Sequence, residues 1–169
     1  MANPTMTLIS SNTVGSGGVS SVTFSSIPST YTDLQLVCSS RVDSSNGTVV
    51  WKFNTDTTAS NYTEKYLSGN GSSAASSGSN NPWFSHSNDN TTTTSTFENT
   101  SVYIPNYTSG NQKSVSVDTV SENNATTAYS QFFAGIWTGT SAINAITLTP
   151  YSGNFVQYST FYLYGISNS

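Results

Sequence analysis

His86 is the single histidine of the chain, and Asp89 follows it closely enough to suggest a general base and the carboxylate that orients it. A serine nucleophile would need a strained elbow to complete such a site, and no Gly-x-Ser-x-Gly stretch exists. The surrounding composition is that of a loop, so the expectation is a solvent-exposed loop histidine and no catalytic residue. Glycoside hydrolysis would require two carboxyl groups a few ångströms apart, one of them held protonated. The acids are Asp33, Asp43, Asp56, Glu64, Asp89, Glu98, Asp118 and Glu122, with no adjacent pair. Solvated strand edges and turns are expected to hold most of them.

Oxygen-rich stretches such as Asp43-Ser44-Ser45-Asn46 and Asn88-Asp89-Asn90 have ligand types suited to calcium. Neither has two or more carboxylates, and the helix-loop-helix calcium spacing is missing, so no metal or other cofactor is expected. Cys38 is the only cysteine, which rules out an intrachain disulfide. It alternates in phase with Leu34 and Leu36 and has no cation nearby, so it reads as a buried small apolar side chain.

The elements that position these residues are strands. Leu34, Leu36, Cys38 and Val42 fall on one face of a segment whose other face carries Gln35, Ser39 and Arg41, which predicts a central core strand. In Thr48–Asn54, Val49, Trp51 and Phe53 point inward while Lys52 and Asn54 point out. In Thr96–Pro105, Val102 and Ile104 oppose Phe97 and Tyr103. Thr5–Val14 and Val19–Ile27 flank Gly15-Ser16-Gly17-Gly18 and read as a hairpin. So do Lys113–Ser121 and Ala128–Trp137 across residues 122–127. At the C-terminus, Ala145–Pro150 and Phe155–Ile166 read as two strands joined by Tyr151-Ser152-Gly153-Asn154. Both faces of the second carry bulk, so it should be covered twice, by the core and by another sheet, a loop or a second subunit.

Residues 68–94 lack this order. Ser68–Asn81 is polar, small and aperiodic, and the region predicts a long loop or arm. Trp83 and Phe84 interrupt it, either pinning the arm to the body or offering a contact to a partner. Together these readings give one all-β domain over 1–169, a two-sheet antiparallel sandwich of jelly-roll type with eight to nine strands.

Only 7% of residues are charged, the net charge is -4, and the bases Arg41, Lys52, Lys65 and Lys113 are scattered. A nucleic acid partner needs clustered cations, so none is expected. No segment is long enough to span a bilayer, and Met1–Thr5 has no basic start leading into an apolar run. The surface must be solvated by Ser, Thr and Asn, which defend poorly against self-association. An obligate oligomer or a permanently docked subunit is the expected state. Tyr158, Tyr162 and Tyr164, with Trp83 and Phe84, are the candidate interface residues. The same tyrosines could stack on sugar rings.

Several segments resemble a family of small virion proteins of tailed bacteriophages, best known from phages of cyanobacteria and other aquatic bacteria. They are Leu8-Ile9-Ser10-Ser11-x-Thr13-Val14-Gly15-Ser16-Gly17-Gly18 and Phe24-x-x-Ile27-Pro28-x-Thr30-Tyr31-Thr32-Asp33-Leu34. Then come Tyr103-Ile104-Pro105-Asn106-Tyr107, Lys113-Ser114-Val115-Ser116, and Gln157-Tyr158-Ser159-Thr160 before Leu163-Tyr164-Gly165-Ile166. The resemblance implies a non-enzymatic β-sandwich of the virion, assembled in the bacterial host cytoplasm. Its expected role is capsid decoration or cement, as a homotrimer docked on the major capsid protein. The alternative is a receptor- or carbohydrate-binding module of a tail or fibre. The middle, Thr55–Thr94, departs from the family pattern, so its partner contacts do not transfer.

Overall fold

Strict alternation of apolar and polar residues buries one face of a strand and solvates the other, and the segment around Leu36 follows that rule. A computed structural model describes residues 5–121 and 129–167. In it β3 (Asp33–Ser40) buries Leu34, Leu36 and Cys38 against the core. The other strands are β1 (Met6–Thr13), β2 (Val22–Phe24), β4 (Thr48–Phe53), β5 (Tyr62–Gly69) and β6 (Ala74–Ser79). They continue with β7 (Trp83–His86), β8 (Glu98–Ile104), β9 (Lys113–Ser121), β10 (Tyr129–Trp137), β11 (Ile146–Pro150) and β12 (Thr160–Ile166). All pair antiparallel, in an eight-stranded sheet ordered β1-β12-β3-β8-β9-β10-β5-β6 and a four-stranded sheet ordered β2-β11-β4-β7.

The fold is the expected all-β two-sheet sandwich, but the expected N-terminal hairpin and the expected strand–turn–strand at the C-terminus are crossings instead. β1 lies in the large sheet and β2 in the small one, so Gly15–Gly18 carries the chain between layers. β11 and β12 are divided in the same way. Residues 151–159 are therefore a connection, in which Phe155 bridges both Val19 and Val42. Tyr158, read as part of the last strand, has φ of +73°, a left-handed backbone that breaks a strand. The β9–β10 hairpin forms as expected, with Tyr129 opposite Ser121; its turn and Ala128 lie outside the described residues.

The expected arm over 68–94 is instead partly strand. β6 pairs with β5 from Glu64↔Ser79 to Gly69↔Ala74, although its side chains are small and largely exposed. Backbone hydrogen bonds hold it, with one side-chain bond from Ser79 Oγ to Glu64 Oε1 at 2.9 Å, which is why no side-chain period announced it. With β5, β6 and β7 added, the described residues hold twelve strands, above the expected eight to nine.

The inward rows of the large sheet change character from one end to the other. At one end Ser40 faces Glu98, and Ser121 faces Tyr129. The next row runs Cys38, Thr100, Thr119, Gln131. After it comes an apolar row of Leu36, Val102, Val117, Phe133 and Tyr66. At the far end Lys113, Trp137 and Tyr62 stand side by side. There Phe53 packs with Tyr62, Phe84 and Trp137 at ring-centroid distances of 6.2, 6.2 and 5.6 Å. Gly135 makes room for Phe84: a Cβ at Gly135 would lie 2.9 Å from the Phe84 ring.

Candidate binding surfaces

The expected interface residues scatter. Phe84 is fully buried, part of the aromatic core and not available to a partner, because β7 turns it inward beneath Gly135. Trp83, its neighbour on the opposite face, is half-buried and meets Tyr151 edge-on at 5.8 Å, with Asn46 and Thr48 beside the pair. Tyr158 is strongly exposed in the crossing loop, apart from the other two tyrosines. Tyr162 and Tyr164 lie on the outer face of β12 while Phe161 and Leu163 are buried beneath.

Register places these tyrosines in a larger surface. One outer row of the large sheet runs Leu8, Tyr164, Gln35, Tyr103. The next runs Tyr162, Val37, Ser101, Asp118, Phe132, Leu67. Leu8, Leu67 and Phe132 are each at least half exposed, at 50, 60 and 54%. Around Phe132 and Leu67 the face is hollowed into an open groove of about 820 Å³, bordered by Lys65, Ser116, Asp118 and Ala134. Asp33 ties one margin of the face, accepting hydrogen bonds from the Tyr103 hydroxyl and the Asn106 amide, each at 2.8 Å. Sequence reasoning found the tyrosines but missed Leu8, Leu67 and Phe132, because a shared face across seven strands is a property of register and not of any one segment.

Several charged residues are not where a solvated surface would put them. Arg41 was expected to face outward; β3 ends just before it, and its guanidinium turns in to clamp the 92–96 turn. There Nη1 donates to Thr92 Oγ1, Thr93 O and Thr96 O at 2.9, 2.8 and 3.1 Å, and Nη2 donates to Thr92 O at 3.1 Å. Lys113 is buried too, donating through Nζ to the Ser109 and Asn111 carbonyls beside the Trp137 ring. Carbonyl partners leave no mark in the composition. Among the expected solvated acids, Glu64 and Glu98 are buried and Asp33 nearly so. The signal for Glu98 was present: it shares parity with Val102 and Ile104.

His86 is half-buried on β7, not on an exposed loop, and stacks on Phe133 at 6.0 Å between ring centroids. Burial lowers its pKa, with Asp89 opposing that shift. The Asp89 carboxylate accepts from the Thr91 amide and hydroxyl at 2.9 and 2.6 Å. Asp43 is likewise engaged, accepting from the Asn154 amide at 2.7 Å. Among the described residues no three His, Cys, Asp or Glu side chains gather into a metal-binding group. Cys38 is buried as expected, its thiol pKa pushed up by burial and by the nearby Glu98.

Comparison with protein families, with curated proteins and with solved structures gives no match.

Proposed function

We propose that this chain is a structural protein of a phage virion, a capsid decoration protein that docks on the head shell and stabilises it. The observation that carries this reading is the outer face of the large sheet. Eight strands at roughly 4.8 Å spacing and about seven residues of ~3.4 Å each make a face of roughly 800 Å², the area each partner contributes to a standard stable interface. It carries Leu8, Val37, Leu67, Tyr103, Phe132, Tyr162 and Tyr164 among uncharged polar residues, with Asp118 and Lys65 as its charges in the two rows bordering the groove. A face of that size and composition suits permanent burial better than exposure. The ordered resemblance to phage virion proteins supplies the particle, the major capsid protein as partner, and a homotrimer as the assembled unit.

Its mechanism is linkage: a protein that binds only the assembled shell lowers the free energy of that shell and leaves dissociated subunits untouched. Cryo-electron microscopy of the particle tests this. Density for the sandwich at the capsid's local symmetry axes, with the large sheet turned toward the shell, is the expected result. Density confined to the tail overturns it and favours the receptor- or carbohydrate-binding reading. The half-exposed Trp83–Tyr151 pair, flanked by Asn46 and Thr48, is the observation on that side, because an aromatic ring beside neutral polar groups is a platform for a sugar.

A further inference from the structure

A buried charge needs a partner, and the partners of Arg41 are unusual. The residue is 9% exposed, yet every acceptor its guanidinium meets among the described residues is neutral, a backbone carbonyl or a threonine hydroxyl of the 92–96 turn. No carboxylate among them answers the cation. These bonds engage Nη1 and Nη2 and leave Nε without an acceptor. The partnerless side-chain atoms closed to solvent among the described residues belong to Glu64 and Glu98, so Arg41 Nε stays within reach of a ligand. A guanidinium held by dipoles, with an N–H still open, is a preformed seat for an anion.

Arg41 lines an open pocket of about 280 Å³ between the 92–97 turn and the crossing loop at 156–158. It is tied to both walls: the side chain clamps the turn, and the Arg41 carbonyl accepts from the Val156 amide at 2.9 Å. No other charged residue lines the pocket. A single positive charge in such walls suits a single negative one. A doubly charged phosphate would bring one charge too many, a cation would be repelled, and a neutral ligand would leave the guanidinium as it is.

The remaining lining describes the body that carries the charge. Phe97, half-buried, and Tyr158, 69% exposed, supply aromatic surface, while the Thr94 and Ser95 hydroxyls and the Gln157 amide supply hydrogen bonds. A sugar ring, with C–H faces and hydroxyl edges, answers both. The volume suits one ring and not a chain of them. Ser95 and Tyr158 also hold φ of +64° and +73°, left-handed backbones that side-chain-bearing residues adopt at a cost, and both border this pocket.

We propose that this pocket binds one acidic sugar, whose carboxylate accepts from Arg41 Nε while its ring lies against Phe97 and Tyr158. The site is separate from the outer face of the large sheet and from Trp83, and it holds wherever on a particle the protein sits.

The test is a nuclear magnetic resonance titration of the ¹⁵N-labelled full chain, at fixed ionic strength, with sodium glucuronate, galacturonate and N-acetylneuraminate, and with glucose and sodium acetate as controls. At least one acidic sugar should produce saturable shifts of the Arg41 Nε–H and of the Ser95 and Gln157 backbone amides, with a Kd on the order of 1 mM. Arg41→Met should weaken that binding at least tenfold. Tyr158→Gly removes the ring at an exposed position and accepts the left-handed backbone, so it keeps the fold if the methionine variant does not, and it should weaken binding several-fold. Absence of shifts with all three acids overturns the proposal. So do equal responses to glucose, which would show that the charge is not read, and equal responses to acetate, which would show that the ring is not. Unchanged binding in both variants, or shifts that map to Trp83 and Tyr151 instead, also overturns it.

Discussion

The two ends of the sandwich interior are built on the same strands and filled by opposite means. At one end Phe53, Tyr62, Phe84 and Trp137 pack ring against ring, and the polar atoms they bring are discharged locally. The Tyr62 hydroxyl accepts from the Phe53 amide and donates to Asp56 O at 3.1 and 3.0 Å, and burial pushes its pKa up to about 12. Trp137 Nε1 donates to Asp56 Oδ2 at 2.8 Å. At the other end Arg41, Ser40, Ser87, Asn88, Thr96 and Ser121 form a web of hydrogen bonds, and among the described residues the Glu98 carboxyl group has no partner. A packed ring resists by area and can be lost only as area, whereas a polar web holds or fails group by group.

The largest effect is expected where packing dominates. Phe53→Ala should lower unfolding free energy by about 3–5 kcal/mol, read from the urea midpoint at unchanged slope, because the cavity left among the three remaining aromatic rings cannot collapse. A loss under ~1 kcal/mol would dissolve the contrast between the ends. At the polar end Arg41→Met should cost about 2–3 kcal/mol, since some carbonyls of the 92–96 turn are left without donors. Amide hydrogen exchange should rise first in that turn, leaving β4 and β5 protected.

Glu98→Gln should raise stability at neutral pH relative to the native chain, and its signature is in pH dependence. The folded chain holds the Glu98 proton above the ordinary pKa of 4.5, so the stabilisation this gives is complete below that value and is lost as pH rises through the raised folded value. Thermal midpoints of the native chain should therefore decline with pH above about 4.5, and the glutamine variant should show a flatter profile. Equal slopes would remove Glu98 from the account. The smallest effect on folding belongs to Phe132→Ser, within about 0.5 kcal/mol because the ring is 54% exposed. That variant should instead reduce binding to purified shells in a co-sedimentation assay, and retained binding would place the docking face elsewhere.

Alternation along single segments was legible. It identified the inward sides of β3, β4 and β8, the β9–β10 hairpin, and Cys38 in the core, because in each case the burial of a side chain follows from its own strand. Layer assignment was not legible. Gly15–Gly18 suits a tight reversal and a passage between sheets equally well, and only the partners of β1 and β2 decide between them. Phe84 and Trp83 illustrate the same limit: adjacent aromatics must face opposite ways, and sequence did not say which side of β7 was inside. The burial of Glu98 could have been suspected from the parity of Glu98, Thr100 and Val102, an acid in phase with a buried row.

Strand order also sets a timetable. β12 lies between β1 and β3, joining Met6↔Ile166 on one side and Ile166↔Asp33 on the other. A chain emerging from the ribosome thus has its first strand without a neighbour in the large sheet, and β3 with an open edge, until the last strand arrives. The β8–β9–β10 meander can form early from local pairing, whereas closing the sheet waits on pairings across nearly the whole chain, the slow class of folding event. During that wait the β12 of one nascent chain fits the gap of another. Strand exchange between copies at high expression is the hazard this topology carries.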